Sequence, residues 1–238
     1  MIGQRLYTGR VAVAQAALAF RRQVYEVTEA YAQQKPIPDV AGRKGRVLAD
    51  IPQLRALFAD AAKRADALEA FVGTCEDRLA PLLKTGAVPD ADLALAIATA
   101  KVRAVEDSID ACWQLKQEVG SYALMGDSGF KHLDFLNCCK RAPASEAFDG
   151  GAATQTPPRR FAEGDSRVLA QKMARDYMRV FAKKGDDGTV ASRLAADLAK
   201  ALAPAGGDKV ATADLWDENF EKVYDLADAV MDRVVAEA

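Results

Sequence analysis

The stretch PQLRALFADAAKRADALEAFVGTCEDRLAPLL, residues 52–83, decides the fold class. Its positions Leu54, Leu57, Ala61, Ala65, Leu68, Val72, Cys75, Leu79 and Leu82 recur every three or four residues. That period places them on one stripe of a long helix. Lys84-Thr85-Gly86-Ala87-Val88-Pro89 ends the pattern, and Asp90 is placed to cap a third helix reaching about Glu118. Its buried side is expected at Leu93, Ile97, Ala100, Ala104, Ile109 and Cys112. Upstream, Leu6, Val13, Ala17, Phe20, Val24, Val27 and Tyr31 mark a first helix over about 3–34, stopped by Lys35-Pro36-Ile37-Pro38. Three long helices joined by short breakers pack most simply as an up-down antiparallel bundle. No stretch alternates with period two, so the fold class is all-α, with no strands expected.

The chain of 238 residues is half apolar, enough for a sizeable core. Its 32 basic and 34 acidic residues give a formal charge of −2, which offers no electrostatic case for nucleic acid or an anionic membrane. No apolar run is long enough to span a bilayer. The start, Met1-Ile2-Gly3-Gln4-Arg5, lacks a signal-peptide pattern, and the end, Ala236-Glu237-Ala238, lacks a Ser-Lys-Leu address. Cys75 and Cys112 fall on apolar stripes, while Cys138-Cys139 cannot readily bridge to each other. With His132 the single histidine, a zinc site is poorly supplied and no metal is expected. A reducing, intracellular setting follows from this cysteine usage.

Gly42, Gly45, Arg43, Lys44 and Arg46 read as a solvated basic loop. The texture changes at Gly120, where a glycine-rich segment to Phe130 reads as a tight bend, and 131–136 as a helical turn. Residues 141–160 are small, polar and proline-rich, the composition of a disordered insertion. Then comes Phe161-Ala162-Glu163-Gly164-Asp165-Ser166-Arg167, where Asp165 or Ser166 caps a fourth helix with Leu169, Met173, Tyr177 and Val180 on one face. Gly185-Asp186-Asp187-Gly188 ends it. A fifth helix is expected over about 189–203 and a sixth carrying Trp216, Phe220, Val223, Ala227, Val230 and Val234. By pattern alone, a Glu-Gly-Asp-Ser before a helix is capping chemistry first. His132, with no evident orienting partner, reads as structural.

The run Gln117-Glu118-Val119-Gly120-Ser121, the turn ending Gly129-Phe130 and the later Phe161-Ala162-Glu163-Gly164-Asp165 resemble the C-terminal helical domain of the acyl-CoA dehydrogenases and acyl-CoA oxidases. Arg10 to Leu18, with Tyr31-Ala32 beyond, is similar to the first helix of that domain, and Gln53 lies where the family opens its second. The resemblance covers about residues 4–184 apart from 141–160. It implies a bundle domain over 1–184 with a helical extension over 185–238. It also implies oxidation of an acyl-CoA to the trans-2-enoyl-CoA with FAD. Glu163 would be the base that takes the α-proton, its backbone N–H a donor to the enolate oxygen.

By the same resemblance Arg10 lies near the acyl-CoA. Gln117, Gly120 and Ser121 contact the FAD of a neighbouring subunit, and Gly164, Asp165 and Ser166 form the turn beside the flavin. The partners implied are acyl-CoA, further copies of the chain, and the N-terminal helical and β-barrel domains that precede this region in the family. Mitochondrion or peroxisome are the implied compartments. Asp165 is nearer the oxidases, since dehydrogenases usually carry threonine there. The family's Arg-x-x-Phe-Gly motif falls near Lys35-Pro36-Ile37-Pro38, where its arginine and phenylalanine are absent. The competing expectation is a non-catalytic helical interaction module that uses the same fold.

Overall fold

The computed structural model describes residues 2–38, 45–141 and 165–238. It divides the chain into two compact units, 1–163 and 164–238. Every regular α or β element among the described residues is helical, and the one pairing outside helices is an isolated antiparallel bridge between Pro36 and Val47.

The first unit is built on α1 (Ile2–Gln34), α2 (Pro52–Thr85) and α3 (Ala91–Glu118), with the short α4 (Asp134–Arg141) against α3 and α1. Side-chain pairs fix their directions. Gln15 meets Glu76, Arg22 meets Glu69 and Tyr25 meets Phe58, so α2 runs against α1. Arg21 meets Asp107 and Tyr31 stacks on Tyr122 just beyond α3, so α3 runs with α1. The core is formed by Val13, Ala17, Val24, Leu54, Phe58, Val105, Cys112, Leu115, Phe130 and Leu136. Each large aliphatic side chain fully removed from water here contributes about 1.5–3 kcal/mol.

The helix ends follow from local chemistry. Asp90 Oδ1 accepts from the Leu93 N–H at 2.7 Å, which opens α3. Gly86 closes α2 in the left-handed region at φ 75°. The expected helical turn at 131–136 is instead a 3-10 turn at Phe130–His132 followed by α4, which reaches Arg141. The apolar residues 133, 135, 136 and 139 of that stretch share one side, and Leu136 and Cys139 are buried. Residues 39–44 and 142–164 lie outside the described residues, and with them Arg43, Lys44 and nearly all of the expected insertion.

The second unit holds α5 (Ser166–Lys184), α6 (Val190–Leu202), α7 (Lys209–Glu218) and α8 (Phe220–Ala236). α8 packs on both α5 and α6, burying Leu169, Met173, Leu198, Val223, Leu226 and Val230. Leu169 and Met173 on α5 are buried in the unit that α8 centres, on the C-terminal side of the 163/164 division. The expected sixth helix is two. The Asn219 side-chain amide donates to the Leu215 carbonyl at 2.8 Å, and its backbone (φ −98°, ψ 31°) leaves the helical range. The stripe therefore splits: Val223, Ala227 and Val230 are buried, while Phe220 is 54 % exposed.

Candidate active site

Of the two capping residues, Asp165 is the cap. Its Oδ1 accepts from the Arg167 N–H at 2.8 Å, and its carbonyl accepts the first helical bond from Leu169 at 3.0 Å. The Arg167 guanidinium stands 4.0 Å from the same carboxylate. Ser166 begins α5 and is buried. Loss of such a cap costs about 1 kcal/mol. Glu163 and Gly164 lie outside the described residues.

The end of α3 places Gln117, Gly120 and Ser121 together, all exposed. Gly120 has φ 57°, the left-handed region that a glycine enters freely, and begins the 3-10 turn Gly120–Leu124. The turn is anchored on α1: the Tyr122 ring stacks on Tyr31 at 3.8 Å and its hydroxyl donates to the Val27 carbonyl at 3.3 Å. Gln117 and Ser121 thus present an amide and a hydroxyl from a fixed support. They are polar and accessible, and nothing stands within 4 Å of where a Cβ on Gly120 would lie, so a ligand can approach the backbone closely.

Arg10 is half-buried on α1, its guanidinium 5.9 Å from the Tyr7 ring. It lies toward the other end of the first unit. Tyr31 sits beside the 120–124 turn, and the helical rise of 1.5 Å per residue separates Arg10 from Tyr31 by about 30 Å. One copy of the chain therefore does not bring Arg10 to Gln117 and Ser121. Asp165 and Ser166 belong to the second unit.

Two features of the first unit went unread in the sequence. A cavity of about 220 Å³ opens between α3 and α4, one turn from Gln117, walled by Ile109, Trp113, Phe130 and Leu136. The Lys116 ammonium lies 5.0 Å from the Trp113 ring at its rim, and Trp113 is half exposed. The second feature is a charge cluster with one buried member, Arg21. Arg21 donates to Asp107 and to the Ala61 carbonyl, Arg64 donates to the other Asp107 oxygen, and Asp60 pairs with Arg64 at 2.8 Å. Nearby, the fully buried Lys101 donates to the Lys140 carbonyl at 2.9 Å, capping the end of α4. A signal existed for both charges. Ala17-Arg21-Val24-Thr28 and Ile97-Lys101-Ala104-Ser108 each step by four, three and four, so each ion stands on a buried stripe.

The cysteines divide by burial. Burial pushes the Cys112 thiol up to about 12 and those of Cys75 and Cys139 to about 11, while Cys138 is exposed. His132 is exposed in the 3-10 turn.

Comparison of the chain with protein-family models, with curated proteins and with solved structures finds no match. No helix among the described residues is long and apolar enough to cross a membrane.

Proposed function

We propose that this chain is the C-terminal helical part of a FAD-dependent acyl-CoA oxidase or dehydrogenase, with α1–α3 as the first members of its up-down bundle and Glu163 as the base that removes the α-proton. The observation that supports it most is the start of α5. Asp165 caps the helix over a buried Ser166, so the chain immediately after Glu163-Gly164 is built as a loop-to-helix junction. Such a junction can hold an acid beside a ligand, since the first-turn N–H groups form the positive end of the helix.

The chemistry asks little of side chains in number and much of them in placement. An α-C–H beside a thioester is weakly acidic, and its removal leaves an enolate whose oxygen needs donors aimed at it. The Glu163 carboxylate would take the proton and its backbone N–H would serve the oxygen. Exclusion of water by the entering acyl chain raises the carboxylate's basicity toward the working pH. Bound FAD supplies the acceptor for the β-hydride. Gln117, Gly120 and Ser121 would hold the edge of that group, and Arg10 would orient the acyl-CoA. The distance of about 30 Å between Arg10 and the Ser121 turn supports a site completed by a neighbouring copy, hence a homo-oligomer.

The test joins the chain to the helical and barrel domains of an acyl-CoA oxidase and follows flavin absorbance near the visible maximum on adding acyl-CoA. The assembled protein is expected to be yellow and to bleach. Glu163→Gln should keep the flavin and lose bleaching rate by about 10²–10⁴. Normal bleaching in that variant removes Glu163 as the base; failure to retain flavin in any assembly removes the family assignment.

A further inference from the structure

The cavity of about 220 Å³ between α3 and α4 takes no part in the acyl-CoA chemistry. Ile109, Trp113 and Lys116 step by four and three along α3, so they form one wall. Phe130 and Leu136, both fully buried, close its base from the other side. Trp113 is half exposed, so one face of a large ring is left for a ligand to cover. The polar lining is two ammonium groups, Lys116 and Lys131, one carboxylate, Asp134, and the Asn137 amide. Asp134 stands in the first turn of α4, where the helix N–H groups already favour its charge. The Lys116 ammonium lies 5.0 Å from the Trp113 ring, and neither lysine enters an ion pair among the described residues.

We propose that this cavity binds a small aromatic carboxylate. Its ring would lie offset against Trp113 and above Phe130, and its carboxylate would face Lys116 and Lys131 at the rim. The aromatic wall selects a flat ring, and two cations against one carboxylate select a negative charge. The volume falls below the 300–1,000 Å³ of pockets for drug-sized ligands, which limits the occupant to one or two rings. The proposal does not rest on the acyl-CoA reading, since none of these residues carries a role there.

The full 238-residue chain is titrated with 2-naphthoate by isothermal calorimetry. Its neutral isostere 2-naphthamide and the non-aromatic cyclohexanecarboxylate are the controls. A Kd of about 0.1 mM is expected for 2-naphthoate, with both controls at least about threefold weaker. Lys131→Met should weaken 2-naphthoate about threefold and Asp134→Asn should tighten it by a similar factor. Trp113→Leu should weaken it about fivefold through loss of the ring contact. Asn137→Trp, at an exposed position of the lining, should fill the mouth and abolish binding. Far-ultraviolet circular dichroism and the heat-unfolding midpoint check that the variants keep their fold. No binding of 2-naphthoate at millimolar concentration, equal affinity for either control, weaker binding by Asp134→Asn, or undiminished binding by Asn137→Trp overturns the proposal.

Discussion

Replacing Asp107 with alanine should destabilise the first unit by about 3 kcal/mol, far more than an ion pair near the surface normally contributes. Asp107 stands on α3 where α1 and α2 meet it. One oxygen accepts from Arg21 and the other from Arg64. The Arg21 side chain is 1 % exposed and that of Asp107 18 %. Taking away the carboxylate leaves a guanidinium that cannot reach water, still tied to the Ala61 carbonyl by its other nitrogen. Breaking a buried pair by removing one partner costs about 3–5 kcal/mol, whereas an exposed pair contributes about 1 kcal/mol at most. The lower end applies here because Arg64 is one third exposed and keeps Asp60 as a partner.

The unit's two-state transition is read by urea titration in a Trp216→Phe background, so that Trp113 on α3 is the only tryptophan. At about 2–4 °C per kcal/mol for a domain of this size, the midpoint of heat unfolding should fall by about 6–12 °C. Arg64→Ala should cost only about 1 kcal/mol. Replacing both partners with apolar side chains, Arg21→Met with Asp107→Leu, should recover most of the loss, since the penalty comes from the orphaned charge. A loss below about 1 kcal/mol for Asp107→Ala, or a double variant as unstable as the single one, would show that Arg21 finds water and that the cluster is not a buried clamp.

Thiol labelling at pH 8 should modify Cys138 alone in the folded chain. Burial holds Cys75 and Cys139 near 11 and Cys112 near 12, so about one in a thousand or fewer of these is thiolate at that pH. Cys138→Ser should abolish labelling by iodoacetamide, and mass-mapped label on Cys112 without unfolding would contradict the packing of α3. At the start of α6, bonds from the Thr189 hydroxyl and then its N–H hold the Asp187 carboxyl down at about 2, against an ordinary 3.8. Its folded pKa is depressed, so its contribution is fully present above about 4 and is lost as pH falls toward 2. A carboxyl-carbon NMR titration should give a midpoint near 2 that rises in Thr189→Val; a midpoint unchanged by that substitution would refute the hydroxyl as the cause.

What could be read from the sequence, and what could not, follows from how each part is encoded. Helix existence came from period, which is local: nine apolar positions in 52–83 admit one face and one element. The caps at Asp90 and Asp165 were equally local, because a short acceptor before a periodic run reaches its own backbone two or three residues on. Asn219 broke the last helix by the same reach, its amide taking the Leu215 carbonyl, yet the apolar stripe on either side concealed it. Arg21 and Lys101 show the opposite case. Their stripe positions said they face inward, but whether a buried cation is tolerable depends on Asp107 and the Lys140 carbonyl, far along the chain. The candidate site shares that dependence. Gln117 and Ser121 are held by Tyr122 stacking on Tyr31, and Arg10 lies about 30 Å from them on the same helix as Tyr31. Residues that one sequence pattern lists together are thus set far apart within one copy, because the pattern is read along the chain while their separation is fixed by the length of α1.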